Sequence, residues 1–262
     1  MTETSPLQGQ FLRPFWLLFG LGFLGILALP FILLPQLQQL IPQDQTEFSP
    51  GGLVILSLIQ PTVLLAIATA VGLKLAPNLS FRSYLANAAT QGLKALAPLR
   101  NELPVAVGGG VLFAAIAVLS DALILPRLGA AGQALAITAN RSWGTTLSAV
   151  LYGGITEELL MRWGLMTLLL WLGWRLFRRR REVGSGLVWG AIVLTALLFG
   201  LAHLPFVLAQ LPLTPWLLFR TLILNGLGGL VFGWLYWKHS LEAAMTAHVS
   251  THLAFTAIAL LL

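Results

Sequence analysis

A chain of 262 residues that is 57% hydrophobic and 9% charged, with a mean hydropathy of +0.85, is not a water-soluble globular domain, for which about 25% charged residues is usual. It contains no cysteine, which excludes disulfides and thiolate metal sites. The net charge of +6 is gathered in short loops between apolar runs, the pattern of a multi-pass membrane protein, so a lipid bilayer is expected around the chain and nucleic acid is not expected as a partner.

Seven apolar runs are long enough to cross a bilayer, at about 20 residues per helix. They are Phe15–Leu34, Leu53–Leu75, Val105–Leu125, Thr145–Phe177, Leu187–Leu204, Trp216–Trp237 and Leu241–Leu262. The predicted fold is all-α, a polytopic transmembrane helical bundle of seven spans, or eight with a further short segment. No internal repeat and no linker divides the chain, so residues 1–262 are expected to form a single integral membrane domain. The first run has no basic flank before it and no small-residue cleavage site after it, which predicts an uncleaved span.

A polar, acidic loop follows at Gln36–Gln39 and Asp44–Glu47. The segment Ala76–Leu103 carries Arg82, Lys94 and Arg100, with Lys74 at its edge. Within it, Tyr84, Leu85, Ala88 and Ala89 fall at helical spacing, which predicts a helix over 82–99, either on the membrane surface or in an ordinary loop. The fourth run is too long for one straight crossing. It is expected to tilt, to break at Gly153-Gly154, or to extend beyond the membrane on its arginine side. Glycine runs at Gly108–Gly110 and Gly226–Gly229 read as places where helices pack closely.

With a cytoplasmic amino terminus, eleven Lys and Arg residues fall inside and only Arg127 and Arg141 outside, while Arg162 and Arg220 lie within spans. That split predicts the cytoplasmic amino terminus, and an external carboxyl terminus if the spans number seven. The tryptophans at span edges read as interface anchors. Glu102 and Asp121 lie near span ends, where solvation is expected, and Glu242 is expected at an interface. Arg220 and Asn225, on the sixth span, are expected to be satisfied by backbone carbonyls.

The polar residues inside apolar runs carry the functional signal. Glu157, Glu158 and Arg162 sit among Leu, Met, Trp and Gly, although each buried charge costs roughly 2.5–3.5 kcal/mol at the bilayer centre even on a lenient scale. Glu158 and Arg162 are four apart and predict an ion pair; Glu157 points to another side of the helix and is left for chemistry. Three of the four histidines, His203, His248 and His252, also fall inside spans. His248 and His252 are four apart on one helix face, the spacing that two histidine ligands of one metal ion use. If the fourth, fifth and seventh runs meet, Glu157 and these imidazoles have the components to deprotonate water and stabilise an oxyanion, with or without zinc. His203, His248 and His252 would be the Zn2+ ligands.

Glu157-Glu158-Leu-Leu-Met-Arg162 is similar to the EExxxR motif of the CPBP family, the CAAX protease and bacteriocin-processing enzymes that include the Ras-converting enzyme. Phe199-Gly-Leu-Ala-His203 resembles the family's FxxxH motif, and His248-Val-Ser-Thr-His252 its HxxxN motif, in the family's order. The resemblance covers about residues 145–255. It implies an intramembrane endopeptidase, of metalloprotease or glutamate type, in which Glu157 assisted by His203 activates water. His248 would stabilise the oxyanion, and Glu158 and Arg162 would position the site. His252 stands where the family has Asn; a neutral imidazole keeps one hydrogen-bond donor there and is the better metal ligand. The substrate implied is a peptide or membrane protein, in the best-known cases prenylated. Two other classes compete: a non-catalytic membrane chaperone, immunity factor or scaffold that uses the polar cluster as interhelical glue, and a transporter with a Glu/His proton relay. The transporter lacks support from any internal symmetry in the chain.

Overall fold

A computed structural model describes residues 6–34, 49–139, 141–177 and 182–262. The loop expected at Gln36–Gln39 and Asp44–Glu47 and the Arg178–Arg181 cluster lie outside the described residues. Most of those described are helical, with no strand among them. In chain order the main helices are α1 (Pro6–Ala28), α2 (Pro50–Leu75), α3 (Tyr84–Gln91), α4 (Leu99–Ile124) and α5 (Trp143–Ser148). After α5 the chain continues as two π-helical stretches, Ala149–Glu157 and Leu159–Met166, into α6 (Thr167–Phe177). Then come α7 (Ser185–Ala202), a short α8 (Leu204–Leu208), α9 (Pro215–Lys238) and α10 (Leu241–Ala259).

Local chemistry explains where these helices begin. Ser49, Ser83, Thr214 and Ser240 each accept a backbone N–H three residues on, the capping bond that satisfies an orphan donor of the first turn. Pro50 and Pro215 stand at the first helical position, where their missing N–H costs nothing. Ser142 and Thr145 close a reciprocal capping box at the start of α5.

Five helices among the described residues are long and apolar enough to cross a membrane: Gln10–Leu34, Pro50–Leu79, Leu93–Leu128, Ser185–Leu208 and Pro215–Lys238. The other two expected spans fall short for a chemical reason. The 143–177 segment carries Glu157, Glu158 and Arg162 and changes its winding, and the last helix carries Glu242, His248 and His252. These two polar helices pack against one another inside the bundle. The fourth run does not break at Gly153-Gly154. It winds more widely there, with i→i+5 bonding, which fits more residues into a given length.

The packing order follows from small residues. A Cβ at Gly110 would stand 2.1 Å from the Ala247 carbonyl oxygen, so α4 and α10 touch backbone to backbone, and one at Gly229 would stand 2.7 Å from Ala196 Cα, joining α9 to α7. Both contacts match the close packing expected of the glycine runs. Trp163 is not an interface anchor: it is 3% exposed, its indole lying against Gly72 of α2.

Three carboxylates expected at solvated or interfacial positions are buried and bonded. Asp121 pairs with Arg220 at 2.6 Å and accepts the Ile137 amide at 2.8 Å, while Arg220 also donates to the Leu135 carbonyl. Arg220 therefore has a carboxylate partner as well as a backbone one; Asn225 donates to the Thr221 carbonyl as expected. Glu102 accepts the Tyr84 and Ser240 hydroxyls. Glu242 accepts the Ser83 hydroxyl and the Tyr84 and Leu85 amides.

Glu242 thus sits at the amino end of α3, where a negative charge meets the unpaired donors and the positive end of the helix dipole. The helix expected over 82–99 is the shorter α3, and it is tied through Glu242 to the first turn of α10. Glu242→Ala leaves two backbone donors without their acceptor, which should weaken α3 by about 1–3 kcal/mol. Hydrogen exchange at Tyr84 and Leu85 is the readout. It should accelerate, and exchange at wild-type rates would show that Glu242 does not hold the helix.

Candidate active site

The π-helical winding brings the motif residues of three helices together. Thr156 Oγ1 donates to the Gly22 carbonyl of α1 at 2.7 Å and lies 3.3 Å from the Leu151 carbonyl, and Thr167 Oγ1 donates to the Arg162 carbonyl at 3.0 Å, so both hydroxyls reach a carbonyl five residues back. Two glycines then admit α10. A Cβ at Gly153 would lie 2.6 Å from His252 Nε2 and 3.5 Å from His248 Nε2, and one at Gly154 would lie 2.4 Å from Val249 Cγ2. The pair Gly153-Gly154 is where the histidine helix docks, and only a residue without a side chain fits there.

A closed cluster forms around Glu158. Its Oε1 accepts His248 Nδ1 at 2.8 Å, and its Oε2 lies 3.2 Å from Arg162 Nε. Glu158 is 0% exposed and Arg162 2%. Arg162 Nη2 also donates to the Gly229 carbonyl at 3.3 Å, and its guanidinium lies 5.2 Å above the Phe199 ring and 5.5 Å above Phe232. Phe232 in turn stacks on His248 at 4.4 Å, and His248 on His252 at 4.9 Å. The expected Glu158–Arg162 ion pair is present, with His248 as a third member. Because a carboxylate only accepts, His248 Nδ1 carries the proton and its Nε2 points toward the space in front of Gly153. There it meets His252 Nε2; His252 Nδ1 is buried without a hydrogen-bond partner.

A second, open cluster lies beside it. Glu157 Oε1 stands 3.9 Å from His203 Nε2, with side-chain exposures of 17% and 32%. His203 Nδ1 is 2.8 Å from the Phe199 carbonyl oxygen, one turn back on α7. A carbonyl accepts and cannot donate, so this bond fixes the proton on Nδ1 and leaves the Nε2 lone pair of the neutral ring facing Glu157. With the ring neutral, two proton acceptors face each other across a gap too long for a direct hydrogen bond, where a bridging water is to be looked for.

All six residues singled out in the sequence lie in this region, and α7 and α10 are joined by the edge contact of Phe199 on His248 at 6.3 Å. His203, His248 and His252 do not converge as a ligand set: among the described residues no group of three His, Cys, Asp or Glu is arranged to hold a metal ion. His248 has one nitrogen engaged by Glu158, and His203 turns toward Glu157. Sequence reasoning missed Phe232, the platform under both His248 and Arg162, because an aromatic in an apolar run carries no distinguishing spacing.

A family model described as type II CAAX prenyl endopeptidase Rce1-like matches residues 138–254, close to the 145–255 of the sequence resemblance and spanning all three motifs. No curated protein and no solved structure matches the chain.

Proposed function

From the premise that residues 138–254 are an Rce1-like domain, a family of proteases acting in a lipid bilayer, we propose that this chain hydrolyses a peptide bond with a water activated by Glu157 and His203. The observation that carries the reading is the 3.9 Å separation of Glu157 Oε1 and His203 Nε2, with His203 Nδ1 tied to Phe199. One water can donate a proton to each acceptor, which aims its remaining lone pairs at a substrate carbonyl. The water oxygen bonds to the carbonyl carbon as Glu157 takes its proton. The tetrahedral intermediate then expels the amine, which leaves with the proton returned from Glu157, giving a carboxylic acid and an amine that part as carboxylate and ammonium once the acid proton passes to the amine. His248 and His252 face the reacting space in front of Gly153, with Glu158 and Arg162 holding His248 in place. His252 can present one N–H there, the role implied for the family's Asn. No step runs through a metal, since the three histidines offer no convergent ligand set.

The partial exposure of Glu157 and His203 leaves them reachable from outside the packed core, which supports an enzyme over a closed structural cluster. The peptide substrate is the class the family implies; prenylation of that peptide is a further part of the proposal. The Lys and Arg distribution supports a cytoplasmic amino terminus. The test is cleavage of a pool of membrane-segment peptides by purified protein in detergent, with wild type beside Glu157→Ala and His203→Ala, each with and without a chelator. Cleavage should be lost in both variants and should persist in wild type with chelator. Cleavage that survives both substitutions would remove these residues from the reaction, and loss on chelation would make the protein a metalloprotease.

A further inference from the structure

Tyr152 is the fourth residue of the same π-helical stretch and has no part in the chemistry so far. Its place becomes meaningful through the winding. On an α-helix, residues five apart point in different directions, at about 100° per residue. In the stretch Ala149–Glu157 the backbone bonds run i→i+5, so Tyr152 lies one turn before Glu157 on nearly the same side. Side chains on a helix lean toward its amino terminus, which carries Glu157 back over the turn that Tyr152 occupies. The offset is realised at the neighbouring residue, where Thr156 reaches the Leu151 carbonyl. Glu157 is also the charged neighbour that acts on the Tyr152 phenol. Gly153, between them, is the residue that His248 and His252 face.

The site is rich in proton acceptors, and the N–H that His252 can present in front of Gly153 is the one donor named so far. Glu157 accepts, His203 Nε2 accepts in the neutral ring, and the His248 Nδ1 proton is spent on Glu158. His248 Nε2 donates only as an imidazolium. A tetrahedral intermediate carries a negative oxygen that needs donors fixed in advance. The Tyr152 hydroxyl makes no hydrogen bond among the described residues, and its half-buried side chain comes one residue before Gly153.

We infer that Tyr152 is a further catalytic residue, its phenol O–H donating a hydrogen bond to the oxyanion formed when water adds to the substrate carbonyl. The π-winding serves to place that donor one turn from the base; a regular α-helix would direct it elsewhere. No proton is transferred from the phenol, so the balance of the hydrolysis is unchanged.

This inference rests on Glu157 as the base, and the experiment separates the two claims. Wild type, Glu157→Gln and Tyr152→Phe are compared on the peptide that wild type cleaves from the membrane-segment pool. Tyr152→Phe keeps the ring and its packing, and an unchanged melting temperature confirms that. Its kcat should fall about 10²–10³-fold with KM nearly unchanged, as for removal of one oxyanion donor. If cleavage depends on Glu157 but Tyr152→Phe keeps the wild-type kcat, or changes KM alone, the inference is overturned and the base assignment stands. If cleavage survives Glu157→Gln, the underlying reading fails and the inference falls with it.

Discussion

Glu157→Gln should reduce kcat by about 10²–10⁴-fold, the range that a positioned general base contributes, while leaving the protein folded. The carboxylate's nearest polar neighbour is His203 Nε2 at 3.9 Å, too far for a hydrogen bond, and the side chain is 17% exposed. Little packing or bonding depends on its charge, so the amide should substitute structurally and fail chemically. Gln cannot take a proton from water, whereas its size and its carbonyl oxygen are retained. The measurement is kcat and melting temperature on one preparation. A large loss of kcat with an unchanged melting temperature is expected. A parallel fall of both would make Glu157 a structural residue and favour the scaffold reading.

The adjacent Glu158 should behave in the opposite way. Glu158→Leu strands Arg162, 2% exposed, without its carboxylate and removes the acceptor of His248 Nδ1. Breaking a buried ion pair from one side costs about 3–5 kcal/mol, because an uncompensated charge remains. The second substitution Arg162→Met should recover most of that loss, since two apolar side chains of similar length restore a neutral interior. Unfolding free energy in detergent reads out both. Full stability in the single variant would show that the pair is dispensable. Failure of the double variant to recover would locate the effect in the His248 contact or in the Gly229 carbonyl that Arg162 also holds. Two neighbouring glutamates, one structural and one catalytic, is a separation that these two experiments measure directly.

What could be read from sequence was mostly what helical spacing controls. The Glu158–Arg162 pair was legible because four residues make close to one turn in either winding. The bundle was legible from apolar runs, and the docking of helices from glycine runs, since at Gly110 and Gly229 a methyl group would collide with backbone. The π-helical stretch was not legible. It depends on i→i+5 bonds and on the meeting of Gly153-Gly154 with α10, a contact between residues about a hundred positions apart. The same limit explains Glu102, Asp121 and Glu242. Near the end of an apolar run a carboxylate looks solvated, and only the fold reveals that Glu242 is needed by Ser83, Tyr84 and Leu85, from 157 to 159 residues away. The metal expectation had a related weakness. A spacing of four places His248 and His252 on one face, yet their rings stack on each other at 4.9 Å and His203 belongs to Glu157.

The account stands on one water shared by Glu157 and His203, and a double-mutant cycle tests that most directly. kcat/KM is measured for wild type, Glu157→Gln, His203→Phe and the combined variant on one cleaved peptide. Groups acting as a unit on a single water give grossly non-additive losses, so the combined variant should be no slower than the worse single one. If the two losses instead multiply, Glu157 and His203 act independently, and the shared water is contradicted.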